Sequence, residues 1–271
     1  MLSTNYEQLV YSDPEFPIIF HCDCLTSDDN FIMHWHEDIE LLNFREGQAI
    51  VECNTIKIRA CAGDLVIVNT GELHSIQTIT PSCSYDCLIL EKQFLENSGL
   101  PVNEMHLSGL VNSEQIRIHF NQIRCELTEL SSYHKIAVKS EALMLSTYLF
   151  RTVAQQRVQM ESGCRRRLDM VRAAILYIQN HYAEDITIND ICSHIGFSKY
   201  YFCRAFHDIT GKTVVDTINF LKCNYARKLI SSGRYNVSES AEICGFHNLS
   251  YFSKTYKQKI GELPSETAKL S

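Results

Sequence analysis

No run of about 18 apolar residues occurs in the chain, so no helix of it is expected to cross a membrane. The N-terminus lacks a basic start leading into an apolar stretch; no secretory signal is expected, and the chain is read as cytoplasmic. Proline and glycine are scarce, at 5 and 11 of 271 residues, while 45% of the chain is apolar. That balance excludes a disordered chain. The length allows two domains, each with a core of its own.

Cysteine is not scarce, but its spacing excludes an obvious disulfide or metal framework. Among the twelve cysteines, the only close pair near the start is Cys22-x-Cys24. Cys192, Cys203, Cys223 and Cys244 fall within apolar helical patterns. Buried free thiols in a reducing compartment are expected. Charge is divided unevenly. Residues 165–271 carry 15 Lys and Arg against 10 Asp and Glu, a net of +5, while residues 1–164 carry 10 against 22, a net of −12. An acidic module joined to a basic one fits a chain whose C-terminal part alone meets phosphate.

The first part reads as short strands. Ile39 to Phe44, Ala49 to Val51, Ile56 to Ile58, Leu65 to Val68 and Cys87 to Leu90 are apolar or alternating runs, punctuated by Gly47, Asn54, Gly63 and Gly71. Such a pattern predicts an all-β sandwich or barrel able to enclose a small cavity. Helical periodicity follows. Ile116, Phe120, Ile123 and Leu127 mark one helix over about 113–130. Ile136, Leu143, Leu145, Leu149 and Val153 mark another over about 133–158. The polar stretch from Gln155 to Arg167 is expected to be a linker, which gives domains 1–160 and 161–271.

The C-terminal part reads as seven helices, starting near 168, 188, 199, 213, 237, 249 and 265. It contains one constellation twice: Ile191-Cys192-Ser193-His194-Ile195-Gly196-Phe197 with Tyr201-Phe202, Phe206 and Gly211, then Ala241-Glu242-Ile243-Cys244-Gly245-Phe246 with Tyr251-Phe252, Tyr256 and Gly261. The copies lie 49 residues apart at their first glycine and 50 apart from Phe202 and Phe252 onward. Thr187 and Asn236, each with an acid three positions on, are expected capping boxes. Each copy predicts two helices joined by a tight glycine turn. The helix over 213–231 between them spans about 27 Å, against about 34 Å between successive major grooves on one face of DNA.

In a helix-turn-helix the second helix enters the major groove. Phe202 and Phe206 face the core, which leaves Lys199, Tyr200, Cys203 and Arg204 outward. Arg204 is expected to contact a base, since guanidinium pairs with guanine O6 and N7. In the second copy Asn248, Leu249, Ser253 and Lys254 point outward, with Lys254 the partner in position of Arg204. His247 and Lys257 suit phosphate.

On these residues the stretch 186–268 resembles the AraC/XylS family of transcription regulators. Glu239, Ala241, Gly245, Phe246, Tyr251, Phe252, Lys257, Gly261 and Pro264 fall where the family signature has them, and Ala226-Arg227-Lys228-Leu229 is similar to its Ala-Arg-x-Leu. Ser240, Lys222 and Leu263 depart from the usual Ile, Arg and Val. The resemblance implies sequence-specific binding of double-stranded promoter DNA, as a homodimer and as an activator, with contact to RNA polymerase.

The N-terminal part holds His34-Trp35-His36, Glu40 and His74. Positions 34, 36 and 40 share a face if the strand is regular. The spacing His-x-His-x3-Glu-x6-Gly, followed by Gly-x5-Asn-x-Gly-x2-His, resembles the two cupin motifs, with Asn69 where Pro is usual. Three readings of these residues stand open. They are polar anchors of an effector pocket, ligands of a first-row metal, or histidines that orient turns. Similar regulators carry cupin-like domains that bind sugars or related metabolites, which favours an effector site at His34, His36, Glu40 and His74. No catalytic residue and no cofactor are expected; a cupin enzyme fused to a DNA-binding domain is the rival reading.

Overall fold

The structure, a computed structural model, describes residues 11, 13, 15–26, 33–156, 162–184 and 186–269. Its contacts divide into two compact units, one within residues 7–159 and the other within 160–271.

The first unit is built on antiparallel strands. They are β1 (Ile18–Thr26), β2 (Ile39–Glu46), β3 (Gln48–Cys53), β4 (Ile56–Cys61), β5 (Leu65–Val68), β6 (His74–Thr78) and β7 (Ser82–Leu90). After the short helix α1 (Lys92–Asn97) come β8 (Met105–Leu107) and β9 (Leu110–Val111), then the helices α2 (Glu114–Glu129) and α3 (His134–Thr152) and the short strand β10 (Ala154–Gln156). A five-stranded sheet runs β1-β7-β2-β5-β9; β4-β3-β6 form a second sheet, and β10 pairs with β8.

The strand β2 shows why this fold follows from the sequence. All of Ile39–Phe44 is buried, the polar Glu40 and Asn43 included, so this strand is covered on both faces. Ile39 and Leu41 join Ile67, Leu88 and Leu90 under α2 and α3, through Ile116, Phe120, Ile123, Ala142, Leu145 and Leu149. Leu42 and Phe44 face the opposite way, with Val68, Tyr85 and Ile89, against Ala49 and Val51 of the second sheet. The result is a cupin-like β unit with helices on one side. The punctuating residues Gly47, Asn54, Gly63 and Gly71 all have positive φ, from 55° to 91°. At Gly47 any side chain would also collide with the chain, since a Cβ there would lie 2.2 Å from the Ser82 carbonyl oxygen.

Several expectations change. The first strand, β1, was not foreseen. Its sequence IIFHCDCLT puts His21, Cys22, Asp23 and Cys24 into what becomes a nine-residue pairing with β7, Ile18 opposite Leu90 and Thr26 opposite Ser82. The next helix, α3, ends at Thr152 rather than 158. Ile136 is 62% exposed, because its inward stripe is Val138, Ala142, Leu145 and Leu149. All twelve cysteines are free, but Cys22, Cys24, Cys61, Cys125 and Cys164 are exposed and Cys192 and Cys203 half-buried, so burial is not the rule for them.

The second unit holds α4 (Ser162–His181), α5 (Ile188–Ile195), α6 (Lys199–Thr210), α7 (Val214–Ser231), α8 (Val237–Ile243), α9 (Leu249–Ile260) and α10 (Pro264–Thr267). The expected linker from Gln155 to Arg167 is mostly not a linker. Gln155 and Gln156 belong to β10, and Gly163–Arg167 form the first turn of α4, where a run of arginines favours helix and a glycine costs little. Residues 157–161 lie outside the described ones. Both expected capping boxes are present, Thr187 with Asp190 and Asn236 with Glu239. The first three helices pack together and α8, α9 and α10 pack on α7.

Candidate functional site

In the N-terminal unit the chain bends at Glu37 and Asp38 before β2 begins, so 34, 36 and 40 do not share one regular strand. The bend still brings the four residues together. His34 and His74 form an isolated antiparallel bridge, with His34 N–H donating to the His74 carbonyl (2.9 Å) and His74 N–H to the His34 carbonyl (2.8 Å). Glu40 Oε2 lies 3.0 Å from His36 Nε2 and 2.9 Å from His74 Nε2. The His34 and His74 rings are 4.0 Å apart. All four side chains are buried.

Burial pushes the Glu40 carboxyl up, but His74 beside it and the hydrogen-bonded His36 outweigh burial and hold it well below the usual carboxylate range. The outer nitrogens are also fixed. His36 Nδ1 lies 3.0 Å from the Asp38 carbonyl and His74 Nδ1 lies 2.9 Å from the Glu72 carbonyl. A carbonyl oxygen only accepts, so each Nδ1 donates and each Nε2 is the nitrogen that faces Glu40.

A cavity of about 210 Å³ opens elsewhere in this unit, between Ile58, Ile67 and Leu110 on its apolar side and Asn69, Glu72 and His106 on its polar side. None of the four clustered residues lines it. Burial raises the Glu72 carboxyl, but His106 and the Asn69 backbone N–H (2.9 Å to Oε2) outweigh that and leave it below its ordinary value. Glu72 and His106 were not singled out from the sequence, and Asn69 was noted only as a departure from the cupin spacing. The available signal was Glu72 and Asn69 standing inside the spacing that ends in His74.

In the C-terminal unit the repeat is a repeat of geometry. Gly196 and Gly245 end α5 and follow α8 with φ of 72° and 70°, and Gly211 and Gly261 end α6 and α9 with positive φ. Phe197 lies 5.8 Å from Tyr201, as Phe246 lies 6.2 Å from Tyr251. Phe202 meets Phe206 edge-on at 5.6 Å and Phe252 meets Tyr256 edge-on at 5.4 Å. The inward aromatics therefore fix which side of α6 and α9 faces out.

On that outward side Lys199, Tyr200 and Arg204 are exposed and Cys203 is half-buried; Leu249 and Lys254 are exposed and Ser253 is half-buried. Among the described residues neither Arg204 nor Lys254 has an ion-pair partner. His247 and Lys257 are exposed. Asn248 is partly committed: its Oδ1 accepts the Tyr251 backbone N–H (2.9 Å) as the cap of α9. Lys222 was read from the sequence only as a departure from the family's usual Arg, and its contacts were not foreseen. It is buried, its Nζ donates to the Gly245 carbonyl (3.0 Å), and it lies over the Phe246 ring at 5.7 Å, so it braces the second turn from α7.

Residues 25–146 match the family model described as AraC-like ligand binding domain, and residues 191–270 match one described as helix-turn-helix domain. The uncharacterized HTH-type transcriptional regulator YdeC of Bacillus subtilis (strain 168) is 22% identical over 252 residues, 88% of this chain and 86% of that protein. The HTH-type transcriptional activator RhaR of Cronobacter sakazakii is 24% identical over 247 residues, 86% of this chain and 85% of that protein. Among solved structures, an apo ToxT variant from Vibrio cholerae strain SCE256 aligns over 93% of this chain and 97% of its own at 16% identity, with a TM-score of 0.52. That last likeness is one of fold. Among the described residues no helix is long and apolar enough to cross a membrane.

Proposed function

The chain belongs to the AraC family of DNA-binding transcription regulators, and from that premise we propose that it is a sequence-specific activator switched by a small-molecule effector in its N-terminal unit. One observation carries the DNA-reading part. Arg204 and Lys254 stand at the same place in a repeated backbone frame, both exposed and both without an ion-pair partner among the described residues. Cations held on two helices with their inner faces locked by aromatic pairs are suited to base edges in two major grooves. Lys199, Tyr200, Cys203, Leu249 and Ser253 complete those faces, with Asn248 at a helix start; His247 and Lys257 are the phosphate contacts. Activation is supported by the printed role of the relative RhaR.

The effector reading rests on the ligand-binding domain. A sugar or a related metabolite with several hydroxyl groups fits a cavity that offers Glu72, Asn69 and His106 on one side and aliphatic side chains on the other. His34, His36, Glu40 and His74 remain effector anchors in this proposal only if the ligand reaches past the cavity into their buried cluster. The protein acts as a homodimer and meets RNA polymerase on DNA; exposed Ile136 and Met144 on α3 supply apolar surface for the pairing. Selection of bound sequences from a random duplex pool, with and without a panel of sugars, tests the proposal. The expected outcome is one enriched motif whose affinity changes with one class of sugar. An unenriched pool would overturn the DNA reading, and an enriched motif indifferent to every ligand would overturn the effector reading.

A further inference from the structure

Resting on the reading of the Glu72 cavity as the effector site, we propose that the effector is positively charged: a small amino sugar whose ammonium group pairs with Glu72. The cavity sits at a seam between two sheet edges. The strand β4 ends the three-stranded sheet and β9 ends the five-stranded one. Ile56 and Ile58 of β4, Ile67 of β5 and Leu110 of β9 give it aliphatic walls. Its volume of about 210 Å³ lies below the range typical of drug-sized ligands, so its ligand is small.

Charge selects among small ligands. Among the described residues that line the cavity, Glu72 is the only carboxylate and none is Lys or Arg. Burial works against the Glu72 charge, but His106 and the Asn69 backbone N–H keep the group ionised. Its oxygens are served unequally. Oε2 accepts the Asn69 backbone N–H at 2.9 Å and Asn69 Nδ2 at 3.3 Å. Oε1 has longer contacts, with Asn54 Nδ2 at 3.3 Å and His106 Nε2 at 3.4 Å. It keeps capacity for a short, charge-assisted bond. Asn69 cannot turn away, because its Oδ1 accepts the Leu107 backbone N–H at 2.8 Å and so leaves Nδ2 as the donor toward Glu72.

A neighbouring thiol senses the same field. Cys53 also lines the cavity, and its thiol is pushed up first by burial and then by the carboxylates of Glu72, Glu40 and Glu52. Three carboxylates near one wall, with no lining Lys or Arg among the described residues, make the cavity negative. A ligand carboxylate or phosphate would be buried there against like charge. A neutral sugar gains hydrogen bonds but leaves the Glu72 charge uncompensated. An ammonium group compensates it, while the hydrocarbon face of a sugar ring covers the aliphatic wall.

The test uses the full chain and calorimetric titration with three sets of hexoses. These are glucose, galactose and mannose; glucosamine, galactosamine and mannosamine, with the amine protonated; and glucuronate and galacturonate. At least one amino sugar is expected to bind about tenfold or more tightly than its neutral parent, and neither uronate to bind saturably. Glu72→Gln brings that amino sugar to within about twofold of its parent, while Glu52→Gln, off the cavity wall, changes the ratio by less than about threefold. If Glu72→Gln folds poorly, the wild-type ranking still decides. A neutral hexose that binds as tightly as its amino counterpart, or a uronate that binds, overturns the positive charge and leaves the sugar reading standing. No saturable binding of any of these sugars overturns the sugar reading as well.

Discussion

The turn at Gly196 stands in open space, with nothing within 4 Å of where a Cβ would sit, whereas the turn at Gly245 is enclosed. A Cβ at Gly245 would fall 2.6 Å from the Ala183 carbonyl oxygen and 2.9 Å from Lys222 Nζ. The second helix-turn-helix is also pinned by Asn219, which donates to the Tyr251 hydroxyl (3.1 Å), and by the Asn248 cap. The first helix-turn-helix is held from outside by an exposed ion pair, Arg167 with Asp208, and by Arg166 over the Phe197 ring. Two helix-turn-helix units with matching inner aromatics, the second with one more residue between its glycine and its second helix, therefore differ in how firmly their turns are fixed. Sequence similarity between the copies reports the shared core and not the bracing around it.

That comparison can be broken at the core first. Phe202 and Phe252 are both fully buried. Phe202→Ala and Phe252→Ala should each cost about 3–5 kcal/mol, measured by urea unfolding, because each deletes the centre of its unit. A loss confined to one of them would mean that the shared core is not shared. The glycine turns sharpen the contrast at the next level. Gly196→Ala should cost about 1–2 kcal/mol, the strain of a positive φ alone. Gly245→Ala should cost about 1–3 kcal/mol more, since the neighbouring backbone must also move. Equal costs would remove the difference in bracing. The smallest effect is at the helix starts. Asn248→Ala should cost about 1 kcal/mol through its lost cap. Ser198→Ala should change stability by less than about 0.5 kcal/mol, because Ser198 makes no side-chain cap bond.

Much of this was legible in the sequence, for a physical reason. The repeat was visible because glycines that need positive φ and aromatics that need burial cannot drift; the caps at Thr187 and Asn236 were visible because orphan amides demand acceptors nearby. The central strand β2 was legible because both of its faces are covered. The edge strand β1 was not, since its half-exposed positions tolerate His21, Cys22, Asp23 and Cys24 and so lose the alternation that marks a strand. Ile136 misled because an apolar side chain on a helix says nothing about which side is covered. The convergence of His34, His36, Glu40 and His74 could be suspected from spacing. The bend at Glu37 and Asp38, the Nδ1 contacts and the cavity at Glu72 depend on tertiary placement that no spacing reports.

The central claim is that matched cations on α6 and α9 read bases through a repeated frame. Competition binding at fixed salt, with the selected operator, single-base variants of it and unrelated duplex, compares the wild type with Arg204→Ala and Lys254→Ala. The account predicts that each substitution relaxes discrimination at its own base step by about 1–3 kcal/mol. It also predicts that the two steps lie roughly one helical turn, about 10 base pairs, apart. If both proteins instead lose the same affinity on every duplex, the two side chains bind phosphate and the account of how this regulator reads DNA is contradicted.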